Sequence, residues 1–201
     1  AEHLALTLLR EAGVAAARSA ILDHGDQRFL EVERFDRVGQ RGRRALFSLA
    51  SLDDAFVGRR TAAWPDVVAA LADQGHVQRE AVAGAALLHA FGTLIGNTDM
   101  HAGNLSFVSD GGRPCALAPA YDMLPMGFAP TSGGALRDRL APLRLAPGVP
   151  AGTWRQALAL AHGYLARLGA AQALSPRFAP CLDALAERLQ DASGQIGRLA
   201  D

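Results

Sequence analysis

The sequence predicts an α+β domain in which helix dominates, and three observations lead there. Ala81 to Ile95 is apolar nearly all round and rich in good helix formers, which marks a helix buried on every side. Two later segments, 154–168 and 175–190, follow helix start signals. Against these stand only short apolar runs bounded by turn residues, at 19–22, 28–35, 104–108 and 114–119, which suffice for small sheets. With 201 residues, half of them hydrophobic, the chain can bury a sizeable core in one domain or a domain with a small attached lobe.

Residues 2–12 read as a helix with Leu4, Leu8 and Leu9 on one side and Gly13 as its stop. Ser19 to Leu22 and Arg28 to Phe35 read as strands joined by the turn Asp23–Asp26. An arginine-rich polar connection at 37–44 follows. Thr61 to Gly75 is expected to be a helix with Trp64, Val67, Val68 and Leu71 inward. Gly96 and Asn97 stop the buried helix, and His89 within it is expected to be a satisfied core residue, not a ligand. Asn104 to Val108 and Pro114 to Pro119, around Asp110-Gly-Gly, form a hairpin. Beyond Met126, Pro130, Gly133, Gly134, Pro142, Pro147 and Pro150 forbid long regular elements. Thr153 is then expected to cap the helix 154–168, and Ser175-Pro176 to begin one running towards Gln190.

Composition excludes several functions. Formal net charge is zero, which argues against a dominating non-specific nucleic-acid surface. Arg41, Arg43 and Arg44 form a small basic cluster whose default is a solvated loop. Cys115 and Cys181 lack CxxC spacing, so they offer neither a zinc site nor a disulfide framework, as suits a reducing cytosol. No membrane span or signal peptide is readable, because His89 and Asn97 break the longest apolar run.

Chemistry concentrates in Asn97-Thr-Asp-Met-His-Ala-Gly-Asn104, with Asp122 eighteen positions further on. Phosphoryl transfer passes through a loose transition state, so a protein mainly supplies alignment and counter-charge. Asp99 suits a base that accepts the proton of an attacking hydroxyl. Mg²⁺ wants hard oxygen ligands and keeps several waters, so the amide of Asn104 and the carboxylate of Asp122 suffice on the protein side. His101, between base and amide, is given an orienting role in the catalytic set. The hairpin carries Asn104 at its entrance and Asp122 just past its exit.

The segments LIGNTDMHAGNLSFV and LAPAYDMLPM resemble the catalytic core of the HipA family of bacterial serine/threonine kinases, known from toxin–antitoxin modules and distantly similar to protein and phosphatidylinositol kinases. Leu30 to Arg37 is similar to that family's hinge strand, with Glu33 and Phe35 at the positions whose backbone holds adenine. The likeness extends over roughly residues 1 to 128, and the ending YDMLPM is most similar to HipA-like proteins described as transcriptional regulators. It implies the C-terminal lobe of a protein-kinase-like fold, with 1–36 as remnant of the smaller lobe and hinge and 37–201 as the helical lobe. It also implies ATP and Mg²⁺ as cofactors, a bacterial cytoplasmic setting, a protein substrate such as a translation factor, and a DNA-binding antitoxin as partner. Asp36 would contact ribose or pair with Arg34 or Arg37. Tyr121 would pack beside the nucleotide or against the core.

Departures shape the rest. All twenty basic residues are arginine, so no lysine can pair the α/β-phosphates, and no glycine-rich phosphate loop occurs. Glu2 falls near the family's early-helix glutamate, the partner of such a lysine. The chain starts at Ala1 inside a helical pattern without an initiator methionine, so the expectation is a C-terminal portion of a longer protein, weak or inactive in phosphotransfer alone. Two other classes stay open: a non-catalytic module of a transcriptional regulator, and a metal-dependent hydrolase or nuclease using Asp99, His101 and Asp122. Two-metal hydrolysis, with ions about 3.5 to 4 Å apart, generally needs more carboxylates or histidines than this segment clusters.

Overall fold

The protein is described by a computed structural model covering residues 1–172 and 174–200. Six helices and seven short strands are seen: α1 (Glu2–Glu11), β1 (Ser19–His24), β2 (Gln27–Val32), β3 (Arg37–Val38), β4 (Gly42–Arg43), β5 (Ala45–Ser48), α2 (Leu49–Phe56), α3 (Trp64–Asp73), α4 (Glu80–Ile95), β6 (Ser106–Ser109), β7 (Ala116–Leu117), α5 (Ala151–Ala170) and α6 (Ala179–Ile196). The α+β class with helix dominant is as the sequence predicts.

Helix α4 is apolar all round because it has neighbours all round: α3, α5, α6 and β7 pack against it. Phe91, Leu94, Ile95 and Leu88 are fully buried there, each side chain stabilising the fold by roughly 1.5–3 kcal/mol relative to exposure. A single apolar cluster joins them to Leu6 and Leu9 of α1, Val68 and Leu71 of α3, Trp154 and Tyr164 of α5, and Leu185 and Leu189 of α6. The four inward residues expected of α3 are all buried. His89 is half-buried and packs against Trp64 with ring centroids 5.9 Å apart, yet its buried Nδ1 and the Trp64 Nε1 find no partner among the described residues, so the histidine is not the satisfied core residue expected.

Local chemistry sets the element ends. Gly96 adopts φ +78° and closes α4 in a left-handed cap that a side chain would strain. Helix α5 starts at Ala151, three residues before its expected start; Thr153 therefore lies inside the first turn, and Pro150, pre-set in φ, precedes it. Ser175 does cap with its side chain, accepting from the Arg177 N–H at 3.3 Å, but it opens a 3-10 turn at Pro176–Phe178 ahead of α6.

Three small sheets are present among the described residues. β1 and β2 form an antiparallel ribbon around the turn at Gly25 and Asp26, and β2 ends at Val32, three residues short of the expected Phe35. The polar connection 37–44 contains the two-residue ladder β3–β4. In the third sheet, order β5-β6-β7, the expected hairpin gains β5 on its other side, with Leu46 opposite Val108 and Phe47 opposite Phe107. Neither β5 nor α2 is legible from local pattern. The N-terminus of α2 in turn grips the segment 102–105, because the Leu49 and Ala50 N–H groups donate to the carbonyls of Leu105 and Ala102 at 2.7 and 2.9 Å.

Candidate active site

The segment 97–105 leaves the buried end of α4 and enters β6, so its start and finish are anchored while its middle reaches solvent. Asn97 is the anchor. It is buried, its Oδ1 accepts from the Asp99 N–H at 3.0 Å, and its Nδ2 donates to the Asp122 carbonyl at 3.4 Å. One amide thus ties together the backbones of the two expected functional aspartates. Sequence reading treats Asn97 only as part of a helix stop; an asparagine directly behind a left-handed glycine, where the chain turns inward, is the signal available.

Asp99 itself is exposed. Asn104 donates from Nδ2 to the Asp99 carbonyl at 2.9 Å, which leaves its Oδ1 as the atom free to act as an oxygen ligand. His101 accepts from the Gly103 N–H at Nδ1, 3.0 Å, so the neutral ring carries its hydrogen on Nε2. That Nε2 lies 3.9 Å from Asp99 Oδ1, too long for a hydrogen bond but close enough for charge interaction. The imidazole is thus tied to the backbone of its own loop.

Asp122 has φ +54°, the one non-glycine residue at positive φ among the described residues. Such a conformation costs free energy and persists when its surroundings over-determine it. They do so here. Its N–H donates to Glu2 Oε1 at 3.0 Å, its carbonyl takes the Asn97 bond, and Tyr121 beside it is fixed by Ser106 Oγ at 2.7 Å and the Gly103 carbonyl at 2.8 Å. Burial pushes the Glu2 carboxyl above its usual range, opposed by the Asp122 N–H bond and helped by the neighbouring Asp122 charge. Burial likewise pushes the Tyr121 phenol up, against the Ser106 bond. Glu2 therefore faces the Asp122 backbone, an arrangement its sequence position alone does not disclose.

The segment 33–36 reaches the same place. The Glu33 N–H donates to the Arg18 carbonyl at 2.8 Å, and Phe35 packs on Tyr121 with centroids 5.9 Å apart. Of the two alternatives for Asp36, the ion pair is present: Arg34 grips it with two bonds of 2.9 and 2.7 Å and holds its carboxyl below the usual range. The phenol of Tyr121 is engaged by protein groups while its ring meets Phe35. Among the described residues, no three His, Cys, Asp or Glu side chains cluster as metal ligands, so the hydrolase alternative lacks its ligand set. No described helix is long and apolar enough to cross a membrane.

A mainly helical body, a small hairpin sheet and the aspartate-bearing loop 97–105 between them make up a kinase-like fold. Two solved structures share it: HipA of Shewanella oneidensis in complex with HipB and operator DNA (TM-score 0.67, 16% identity, covering 96% of this chain and 55% of that one), and the Helicobacter pylori proinflammatory kinase CtkA (TM-score 0.60, 13% identity, 99% and 84%). The profile of the HipA-like C-terminal domain matches residues 1–192, and the chain belongs to that family. It is 35% identical over 200 residues to Toxin YjjJ of Escherichia coli, a match covering 99% of this chain and 45% of the relative, so it spans about half the length of the curated protein it matches.

Proposed function

We propose that this chain is the catalytic C-terminal part of a HipA-like serine/threonine protein kinase of toxin–antitoxin type, with Asp99 as the base. The observation that carries the reading is the double tie of Asn97 to Asp99 and Asp122, which gives two otherwise independent aspartates a fixed relation. The donor set fits Mg²⁺: one carboxylate at Asp122 and one amide oxygen at Asn104, whose nitrogen is already committed. Bound Mg²⁺ would neutralise charge on the triphosphate. Asp99, half exposed at the loop's crest, accepts the proton of the incoming hydroxyl. Glu33 and Phe35 offer hinge backbone to adenine, Tyr121 supports that hinge, and His101 keeps the loop's shape.

Residues 1–36 are assigned to the end of a smaller lobe and its hinge, and 37–201 to the larger lobe. A phosphate-pairing lysine has to come from outside this lysine-free sequence, so the separate chain is expected to transfer phosphate weakly or not at all. The solved HipA assembly with HipB and DNA supports a DNA-binding antitoxin as partner, and two buried, unpaired cysteines suit a bacterial cytoplasm. A translation factor is the proposed class of phosphorylated protein.

Radiolabelled phosphate transfer from ATP by the full-length protein, compared with Asp99→Ala and Asp122→Ala, tests the assignment. Loss of incorporation by roughly a hundredfold or more is expected for each variant. Equal incorporation by all three removes it. Titration calorimetry of the present chain with Mg-ATP separates a nucleotide-binding lobe from a non-catalytic module of a regulator, which would give no heat.

A further inference from the structure

Beside the base loop, between the end of α4 and the segment 137–145, lies an open groove of about 430 Å³. Thr98 and Met100, which flank Asp99, form one wall, and Leu140, Pro142, Arg144 and Arg188 form the rest. Leu140 is wedged where Cβ atoms on Gly96 and Gly127 would stand only 2.8 and 2.5 Å from it, so the groove floor is locked to the loop's root. Arg188 of α6 crosses beneath, donating to the Thr93 carbonyl at 2.8 Å and the Ala141 carbonyl at 2.7 Å.

The charges of this groove are incomplete. No carboxylate stands within ion-pair distance of Arg188 or Arg144 among the described residues. Arg188 is half buried, and burial lowers its pKa; it donates to the Thr93 and Ala141 carbonyls, near the C-terminal end of α4, while Asp138, Glu187 and Asp191 line an adjoining cavity that Arg188 also lines, without closing an ion pair to it among the described residues. Arg144 stands exposed at the mouth. Two guanidiniums without counter-ions bracket an apolar floor within one residue of the base. A nucleic-acid backbone would satisfy the charges but not the floor, whereas a polypeptide can satisfy both.

We propose that this groove seats the acceptor protein as an extended segment, with an apolar side chain against Met100 and Leu140 and an acidic side chain meeting Arg144 and Arg188 next to the target hydroxyl. The inference rests on Asp99 being the base of a kinase. In the step it serves, the bond from the γ-phosphorus to the ADP oxygen breaks, a bond to the acceptor oxygen forms, and the hydroxyl proton passes to Asp99.

The test uses the full-length protein, radiolabelled Mg-ATP and peptide pools with one central serine whose flanks fix Glu, Lys or Leu in turn. Pools with Glu and Leu flanks are expected to outrun Lys pools by roughly five-fold, and Arg144→Glu to reverse the charge preference. Arg188→Gln is expected to weaken it, but because that side chain also binds backbone, the exposed Arg144 carries the decision. Transfer that is Asp99-dependent yet indifferent to flank charge, or favours Lys with and without Arg144→Glu, overturns the inference and leaves the kinase reading standing. Absence of transfer to every pool overturns the docking of extended acceptors; if wild type also matches Asp99→Ala on intact protein substrates, the kinase reading falls with it. If Arg144→Glu instead splits a dimer seen by light scattering, the groove belongs to a second copy and the inference fails.

Discussion

At the scale of single residues, the site is a set of constraints on one backbone. Asp122 stands in a conformation that side chains avoid, and Glu2 holds its N–H from a helix far away in sequence. If Asp122 holds the metal as proposed, Glu2 acts as a positioning residue, and its effect should be read through Asp122. In Mg²⁺ titrations of phosphotransfer by the full-length protein, Glu2→Ala is expected to lower the rate about tenfold and raise the Mg²⁺ needed, the loss of one charge-assisted hydrogen bond. Glu2→Gln keeps an accepting oxygen at the same reach and should recover most of the rate. Equal Mg²⁺ dependence in wild type and Glu2→Ala would mean that the Asp122 backbone holds itself.

Helix α4 carries the loop at its end, and its glycines show how closely the two are fitted. Gly92 lies mid-helix, where glycine costs about 0.5–1 kcal/mol relative to alanine, because a Cβ there would run into the Met100 sulfur and crowd Met123. Gly92→Leu should displace both methionines, cost roughly 1–3 kcal/mol by overpacking, and depress transfer by moving the neighbours of Asp99 and Asp122; thermal unfolding and kcat check the two effects separately. Such fits explain what was legible. The octet 97–104 and Asp122 stand out because their residue types and spacing are those a phosphotransfer site would need, and α1, α3 and α4 because their apolar patterns are long. Element β5 was not legible, since Ala45–Ser48 is held by pairing with Ser106–Ser109, some sixty positions away, and no local pattern encodes a partner. Helix α2, eight residues long, lies below the length at which periodicity speaks. Likewise, nothing local in Asn97 tells of the Asp122 carbonyl it reaches.

For the whole molecule, the imbalance is on the β side. The β1–β2 register sets Ile21 opposite Leu30 on one face and Leu22 opposite Phe29 on the other, and all four are exposed, Phe29 at 48%. Strands apolar on both faces are ordinarily covered on both faces. The chain alone should therefore self-associate: light scattering is expected to rise with concentration, and a Leu22→Ser, Phe29→Ser double variant to suppress it with little change in melting temperature, since neither side chain belongs to the core. A rise of the same size in the variant would place the sticky surface elsewhere. Anything that sandwiched that ribbon would also conceal it from proteases and chaperones, which recognise uncovered greasy strands. A copy with that ribbon bare would thus be cleared sooner than one with it covered.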